Sequence, residues 1–379
     1  MNYKAIAITV GAVLLFCGAT TATGLVAQEI SYNIQQKSMI GTYLLYDIDG
    51  SYTDNSNNSC SITGLMSREC LDYESKRGFQ TKTETVMTIE FGSLSRTTAE
   101  SETKWSEDNE SNNQKMTGET TLSTDFGSKL CEIWEVDEDG VKGIEYVGKD
   151  KITYLVEGTF TEEKYTMTIS CKLISINDKD KAKLTREYSW SYKGQQYSTT
   201  LDIALSDFVK YRTDSIARYE VTNDNDKHDR SLVTYDDKYV KELASAITSK
   251  SVGMSNIDKI GMALAFTQYI EYCHDDISMG EDEYWKYPVE TLVDMNGDCE
   301  DTSILFCALA KQMGYDSCMI LYPGHMAAGI NNPGCTGTGY YTFEEGTYYY
   351  CETTAEDWSI GHAYTSGTYP SDVDRHIVV

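Results

Sequence analysis

The stretch "NGDCEDTSILFCALAKQMGYDS", residues 296–317, decides the fold. Asn296 and Gly297 read as a turn. Asp298 stands where an N-cap belongs, and Asp301, three residues on, comes close to a capping box. From Cys299 onward Ile304, Leu305, Ala308, Leu309 and Met313 recur at helical spacing, and Gly314 is a good helix stop. The spacing predicts a helix whose first residue is Cys299. A sulfur there faces unpaired backbone N–H groups and the positive end of the helix dipole, which favour thiolate. Cys307, two turns on, falls in the helical interior and reads as a small hydrophobe.

Working outward, "CMILYPG" (318–324) reads as a buried strand, "HMAAGI" (325–330) as a second and "TYYYCETT" (347–354) as a third. Upstream, "YDDKYVKELASAITSK" (235–250) and "NIDKIGMALAFTQYIEYC" (256–273) place apolar residues at helical intervals, with Asn256 and Asp258 supplying helix-start chemistry. Helices followed by strands give an α+β order.

A thiolate nucleophile needs a base beside it and a group that orients the base. The chain has five histidines: 228, 274, 325, 362 and 376. His228 lies in a charged loop, His362 reads as surface and His376 belongs to the tail. His325 opens a strand after "LYPG", where a ring can be held rigidly. Glu352 ends the third strand, where its carboxylate can accept the His325 ring N–H and stabilise imidazolium; Asp357 is a nearby competitor. Asp301 reads as a structural acid. Trp285, in "WKYPVETL" (285–292), either offers an indole N–H to an oxyanion hole or covers the cleft. The backbone N–H of Cys299 is a further oxyanion donor.

The run "YPVETLVDMNGDCEDTSILFCALAKQMGYDSCMILYPGHMAAGI" (287–330), followed by "YYYCETT" (348–354), resembles the transglutaminase-like superfamily of papain-type Cys-His-acid enzymes. The likeness is to archaeal and bacterial exported members with G-D-C-x-D, a His opening a strand and a carboxylate on the next strand. It implies Cys299 as nucleophile, His325 as base and Glu352 as third member, where the family often has Asp. It also implies helices packed on an antiparallel sheet, over a core of residues 236–360 within a domain spanning 185–379. An aromatic such as Trp285 lines the cleft in that family.

The region before it reads differently. "GTYLLYDIDGSYT", "KTETVMTIEFG", "KLCEIWEVDEDG", "GIEYVG", "KITYLVEGTF" and "YTMTISCKLISI" are short, rich in Val, Ile, Thr and Tyr, and punctuated by turn residues. They predict an antiparallel, sandwich-like β domain over 35–180, with turns at "DEDG" and "TEEK". Thr97–Thr121 has almost no apolar residue and is expected to be a long loop. "YSWSYKGQQYS" gives two further strands around a Lys-Gly turn. Of eleven cysteines, Cys60 with Cys70, Cys131 with Cys171, and Cys335 with Cys351 are plausible disulfides, with connectivity left open. No CxxC occurs, so a structural zinc is not expected; a metal site of Cys299 and His325 with Cys335 or Cys351 lacks ligand spacing, and no metal or cofactor is called for. Asn57 and Asn109 stand in glycosylation-type sequons.

The 379 residues carry 59 Asp+Glu against 32 Lys+Arg, a net charge of −27. That argues against a nucleic-acid partner, which needs a basic face. Lys4 precedes an uncharged run from Ala5 to Gln28, so residues 1–30 read as a signal peptide or a single membrane anchor, with the rest outside the cytoplasm. The functional expectation is an exported or membrane-anchored thiol enzyme acting on a peptide or protein substrate. The alternative is a catalytically inactive binding or scaffold protein of the cell envelope.

Overall fold

The computed structural model describes residues 39–362 and 373–379, leaving aside 56–57, 93, 106–113, 139–140, 163–164 and 223–225. The signal or anchor expected at 1–30 and the sequon residues Asn57 and Asn109 lie outside the described residues. Among the described residues no helix is long and apolar enough to cross a membrane. These residues form two compact units. One runs to Lys183 and takes in Ala204–Thr213; the other holds Leu184–Ile203 and Asp214–Val379.

The first unit is one nine-stranded antiparallel sheet. Its strands are β1 (Tyr43–Asp54), β2 (Ser59–Glu74), β3 (Gly78–Phe91), β4 (Leu94–Trp105), β5 (Gln114–Thr124), β6 (Gly127–Glu138), β7 (Val141–Gly148), β8 (Thr153–Glu162) and β9 (Tyr165–Ile176). Their order is β4-β3-β2-β1-β9-β8-β7-β6-β5, so two meanders join where the first strand pairs with the last. Alternate residues of β9, from Tyr165 to Leu173, are buried, as a sheet with one dry face requires. Ile62 and Ile89 share one core with Cys131 and Cys171, from strands far apart in the order. One continuous sheet thus builds this core, where a sandwich-like arrangement was expected.

Three expectations are corrected in this unit. Thr97–Thr121 is mostly not a loop: β4 continues to Trp105 and β5 begins at Gln114. Both are edge strands, and Thr suits a pleated backbone without a buried face while Glu and Lys discourage edge pairing. Cys60 and Cys70 cannot pair, because both lie on β2, ~33 Å apart along an extended strand. None of the described cysteines is in a disulfide, so Cys131 with Cys171 and Cys335 with Cys351 are not bonded either. Lastly, helix α1 (Leu205–Arg212), expected within the C-terminal domain, packs on β3 and β4 and buries Phe208 and Val209.

The second unit opens with the hairpin β10 (Lys183–Tyr192) and β11 (Gln195–Ala204). Its two-residue turn, Lys193 and Gly194, has φ of 51° and 76°, the left-handed pair that matches strand twist. Helices α2 (Lys227–Leu232), α3 (Lys238–Lys250) and α4 (Asn256–Gln268) follow. Asp237 caps α3 by accepting the Tyr239 N–H. Ser255, one residue before the expected start, caps α4 by accepting the Asp258 N–H, and its hydroxyl donates to the Asp258 carboxylate. Next come β12 (Glu271–Tyr272), α5 (Asp275–Ser278), α6 (Pro288–Asp294), β13 (Asn296–Gly297) and α7 (Cys299–Gln312). A five-stranded antiparallel sheet completes the unit: β14 (Asp316–Tyr322), β15 (His325–Asn331), β16 (Tyr340–Phe343), β17 (Gly346–Cys351) and β18 (Arg375–Val378), in the order β16-β17-β15-β14-β18. The unit is α+β, with helices on an antiparallel sheet.

Candidate thiol active site

Helix α7 is the axis of the second unit. Eleven of its fourteen residues are buried, so it has no solvent face to spare. It packs on β14 and β15 and against α3, α4 and α6. Gly314 follows at φ 85°, a left-handed stop that glycine adopts without strain. The N-terminus of α7 is fixed from the side. Strand β12 pairs in parallel with β13, Glu271 opposite Asn296 and Tyr272 opposite Gly297, and the Cys273 N–H donates to the Gly297 carbonyl. Gly297 is required there, because a Cβ would come within 2.7 Å of the Asp301 side chain.

Cys299 thus opens the helix as its spacing predicts, with the sulfur almost out of solvent at 7% residue exposure. Its S–H donates to Glu300 Oε2 at 3.0 Å, and the backbone N–H of Met326 is directed at the sulfur. Burial, then the Glu300 and Asp298 carboxylates, push the thiol well up, and the Met326 N–H only partly opposes them. Burial and two like-signed neighbours thus oppose the thiolate that the helix start was expected to favour.

His325 is the first residue of β15, next to the Met326 whose N–H meets the sulfur. Its Nε2 lies 3.5 Å from Glu352 Oε2. The Tyr322 ring stacks on the imidazole at 6.1 Å between centroids. Glu352 directly follows β17, which pairs with β15. Its Oε2 also accepts the Tyr350 hydroxyl at 2.7 Å, and its Oε1 accepts the Thr354 N–H and hydroxyl at 3.1 and 2.6 Å. Gln268 Nε2 donates to the Glu352 carbonyl at 2.8 Å. Burial alone would raise this carboxyl, but His325, Thr354 and Tyr350 together hold it down to about 2. Asp357 is exposed, so Glu352 is the carboxylate that faces the imidazole.

Two sequence readings fare differently beside the sulfur. Asp298 occupies the N-cap position without a side-chain cap hydrogen bond, and Asp301 does not close a capping box. Asp301 instead accepts the Lys286 N–H at 2.7 Å, a structural task with another partner. Trp285 is 2% exposed and its indole N–H donates to Glu283 Oε1 at 2.6 Å. That N–H is committed, so the oxyanion half of its expected role is withdrawn. The first-turn amides of α7 remain as donors of the right kind.

Sequence reasoning missed Lys286, which is wholly buried. Its ammonium sits 3.2 Å from Asp301 Oδ2, 3.4 Å from Asp294 Oδ2 and 3.2 Å from the Asn296 carbonyl. The signal was present: a lone lysine inside the apolar, aromatic run "YWKYPV". Beyond it, carboxylate oxygens of Asp275, Asp298 and Asp301 lie within 4.8 Å of one another, a spacing a cation could bridge. Burial pushes Asp275 up to about 9, with Asp301 and Asp298 adding to it. Asp298 rises to about 7 by burial and the Glu300 charge. Asp301 rises to about 7 by burial, offset in part by Lys286. Among the described residues, Cys335 and Cys351 form no metal-ligand group with Cys299 and His325.

No protein-family profile matches the chain, and no curated protein matches it. Among solved structures, a Cytophaga hutchinsonii protein provisionally described as a cysteine protease aligns over 83% of this chain and 76% of its own, at 9% identity and a TM-score of 0.23. A provisional protease from Parabacteroides distasonis aligns over 68% of this chain and 62% of its own, at 12% identity and 0.22. An S-type phycobiliprotein lyase from Guillardia theta covers 38% of this chain and 93% of its own, at 4% identity and 0.18. Scores this low carry no argument about fold or activity.

Proposed function

We propose that the chain is a transglutaminase-like thiol enzyme that attacks peptide, isopeptide or other carboxamide carbonyls through Cys299, His325 and Glu352. The observation that carries the reading is the pairing of His325 Nε2 with Glu352 Oε2 at 3.5 Å, one residue from the Met326 N–H that meets the Cys299 sulfur. As the sulfur attacks, His325 takes its proton, and the imidazolium is held by a carboxylate that stays ionised. His325 then protonates the leaving amine as the C–N bond breaks, leaving a thioester. Water, deprotonated by His325, releases the acid and restores the thiol; an amine in place of water gives transamidation. Hydrolysis is the default because water is the ubiquitous acceptor. The apolar run from Ala5 to Gln28 supports a substrate outside the cytoplasm and attachment through the N-terminal segment.

One observation favours the scaffold reading: a buried thiol whose S–H is directed at Glu300 is not an activated nucleophile at rest. Turnover of a peptide and isopeptide library by wild type and by Cys299→Ala decides between the two. Equal product patterns end the enzyme reading.

A further inference from the structure

We infer that the Cys299 site selects substrates with a positive charge, an ammonium or guanidinium, beside the attacked carbonyl, and that Glu300 and Asp298 recognise it. The inference rests on Cys299 being the nucleophile. Glu300 Oε2 is 3.0 Å from the sulfur. A carbonyl carbon must approach that sulfur to roughly 3–3.5 Å before reaction, so groups flanking it fall within reach of the Glu300 carboxylate.

Cations are scarce in the sequence around it. Between Lys259 and Lys311 the sole Lys or Arg is Lys286. Lys286 is wholly buried against Asp294 and Asp301 and cannot reach out to neutralise the rim. Over the same stretch Glu271, Asp276, Glu281, Asp282 and Glu283 are exposed. The pairing of β12 with β13 brings the first of these beside the turn that precedes Cys299. A separate observation points the same way. Asp275 is 4% exposed, and its Oδ1 has no hydrogen-bond partner although its carboxylate shares a 4.8 Å cluster with Asp298 and Asp301. The site gathers acidic side chains around one fixed cation, a setting that favours a ligand bringing positive charge.

The contact also has a kinetic consequence. Glu300 accepts the Cys299 S–H, so a cation that engages Glu300 removes that acceptor and leaves the proton for His325. A cationic substrate would select the site and unlock it, whereas an anionic one meets repulsion at both carboxylates.

The test uses two methanethiosulfonate reagents of similar size, one ending in ammonium and one in sulfonate, on the full chain with chelator present. Peptide-level mass spectrometry reads the labelling rate of Cys299. At low ionic strength the cation-to-anion rate ratio should exceed that of a free cysteine peptide by about tenfold or more, and collapse toward it at high salt. Glu300→Gln should lower the ratio about threefold or more, and Asp298→Asn with Glu300→Gln further. A wild-type ratio equal to that of the free peptide at low salt overturns the inference, and the salt series needs no variant to fold. Failure of the enzyme reading looks different: a strong cation preference in labelling without Cys299-dependent turnover leaves this charge selectivity standing. Turnover indifferent to flanking charge overturns the selectivity and leaves the enzyme.

Discussion

Tyr46, Ile48, Met66, Met87 and Ile169 fill the buried face of the nine-stranded sheet, where Arg68, Glu84 and Glu145 are largely but not wholly buried, and a pair such as Lys172 and Asp125 stays about half exposed. The helix-and-strand unit goes further. It encloses Lys286, Glu290, Asp301 and Asp229 completely, and pairs Glu290 with Arg218 at 2.6 Å. Burying a charge opposes folding unless it is paired and hydrogen-bonded, and an apolar side chain of similar volume is often as stabilising. Among the described residues the sheet encloses no charged side chain completely. Lys286 and Asp301 adjoin the start of the Cys299 helix, and there the chain gives up stability for a polarised site, where strongly displaced carboxyl groups gather.

The largest effect that tests the contrast is on activity. Cys299→Ala should lower turnover by about 10³-fold or more, with the melting temperature almost unchanged, because the sulfur is lost from a helix start that keeps its packing. A residual activity within tenfold of wild type would move the chemistry elsewhere. Next comes Lys286→Met. It leaves Asp294 and Asp301 buried without their cation and should destabilise the second unit by about 3–5 kcal/mol in urea unfolding. Ile48→Ala in the sheet core should be similar, about 2–5 kcal/mol, by loss of apolar contact alone. If Lys286→Met proves neutral while Ile48→Ala does not, the buried network is not structural.

The pH dependence separates two carboxyls of the second unit. Glu352 sits near 2 when folded, below its unfolded value of about 4.3. Its stabilisation is complete above the unfolded value and is lost as pH falls toward 2. Asp275 is raised to about 9, above its unfolded value of about 3.9. The folded state then binds a proton the unfolded state lacks, so stability declines as pH rises from about 4 to 9. Urea melts between pH 5 and 9 should show that decline, and Asp275→Asn should flatten it; an unchanged slope would relocate the titration. The smallest effect belongs to the sheet surface, where Lys172→Met should change stability by about 0–1 kcal/mol.

Much of the second unit was legible because its signals are local. Helix α7 begins at Cys299 where its spacing placed it, and His325 opens β15. The signals that failed depend on what lies opposite. Asp301 has the spacing of a capping residue but turns to the Lys286 amide, fifteen residues upstream. A helix dipole argues for thiolate at Cys299, yet burial and then the Glu300 and Asp298 carboxylates act against it. The polar edge strands β4 and β5 read as a loop, since backbone ladders leave no trace in an alternation that lacks an apolar face. Tyr350, Thr354 and Gln268 converge on Glu352 only through tertiary pairing.

Because α7 is enclosed on all sides, the azimuth of the sulfur is fixed by the core itself. One residue inserted between Cys299 and Ile304 would turn the sulfur by about 100° relative to the apolar cylinder. No solvent-facing sector exists to absorb that rotation. The sulfur is therefore indexed by the packing of a helix, as a tooth is indexed on a keyed shaft. Changes of length in this protein belong in its hairpin turns, where slip moves only the turn.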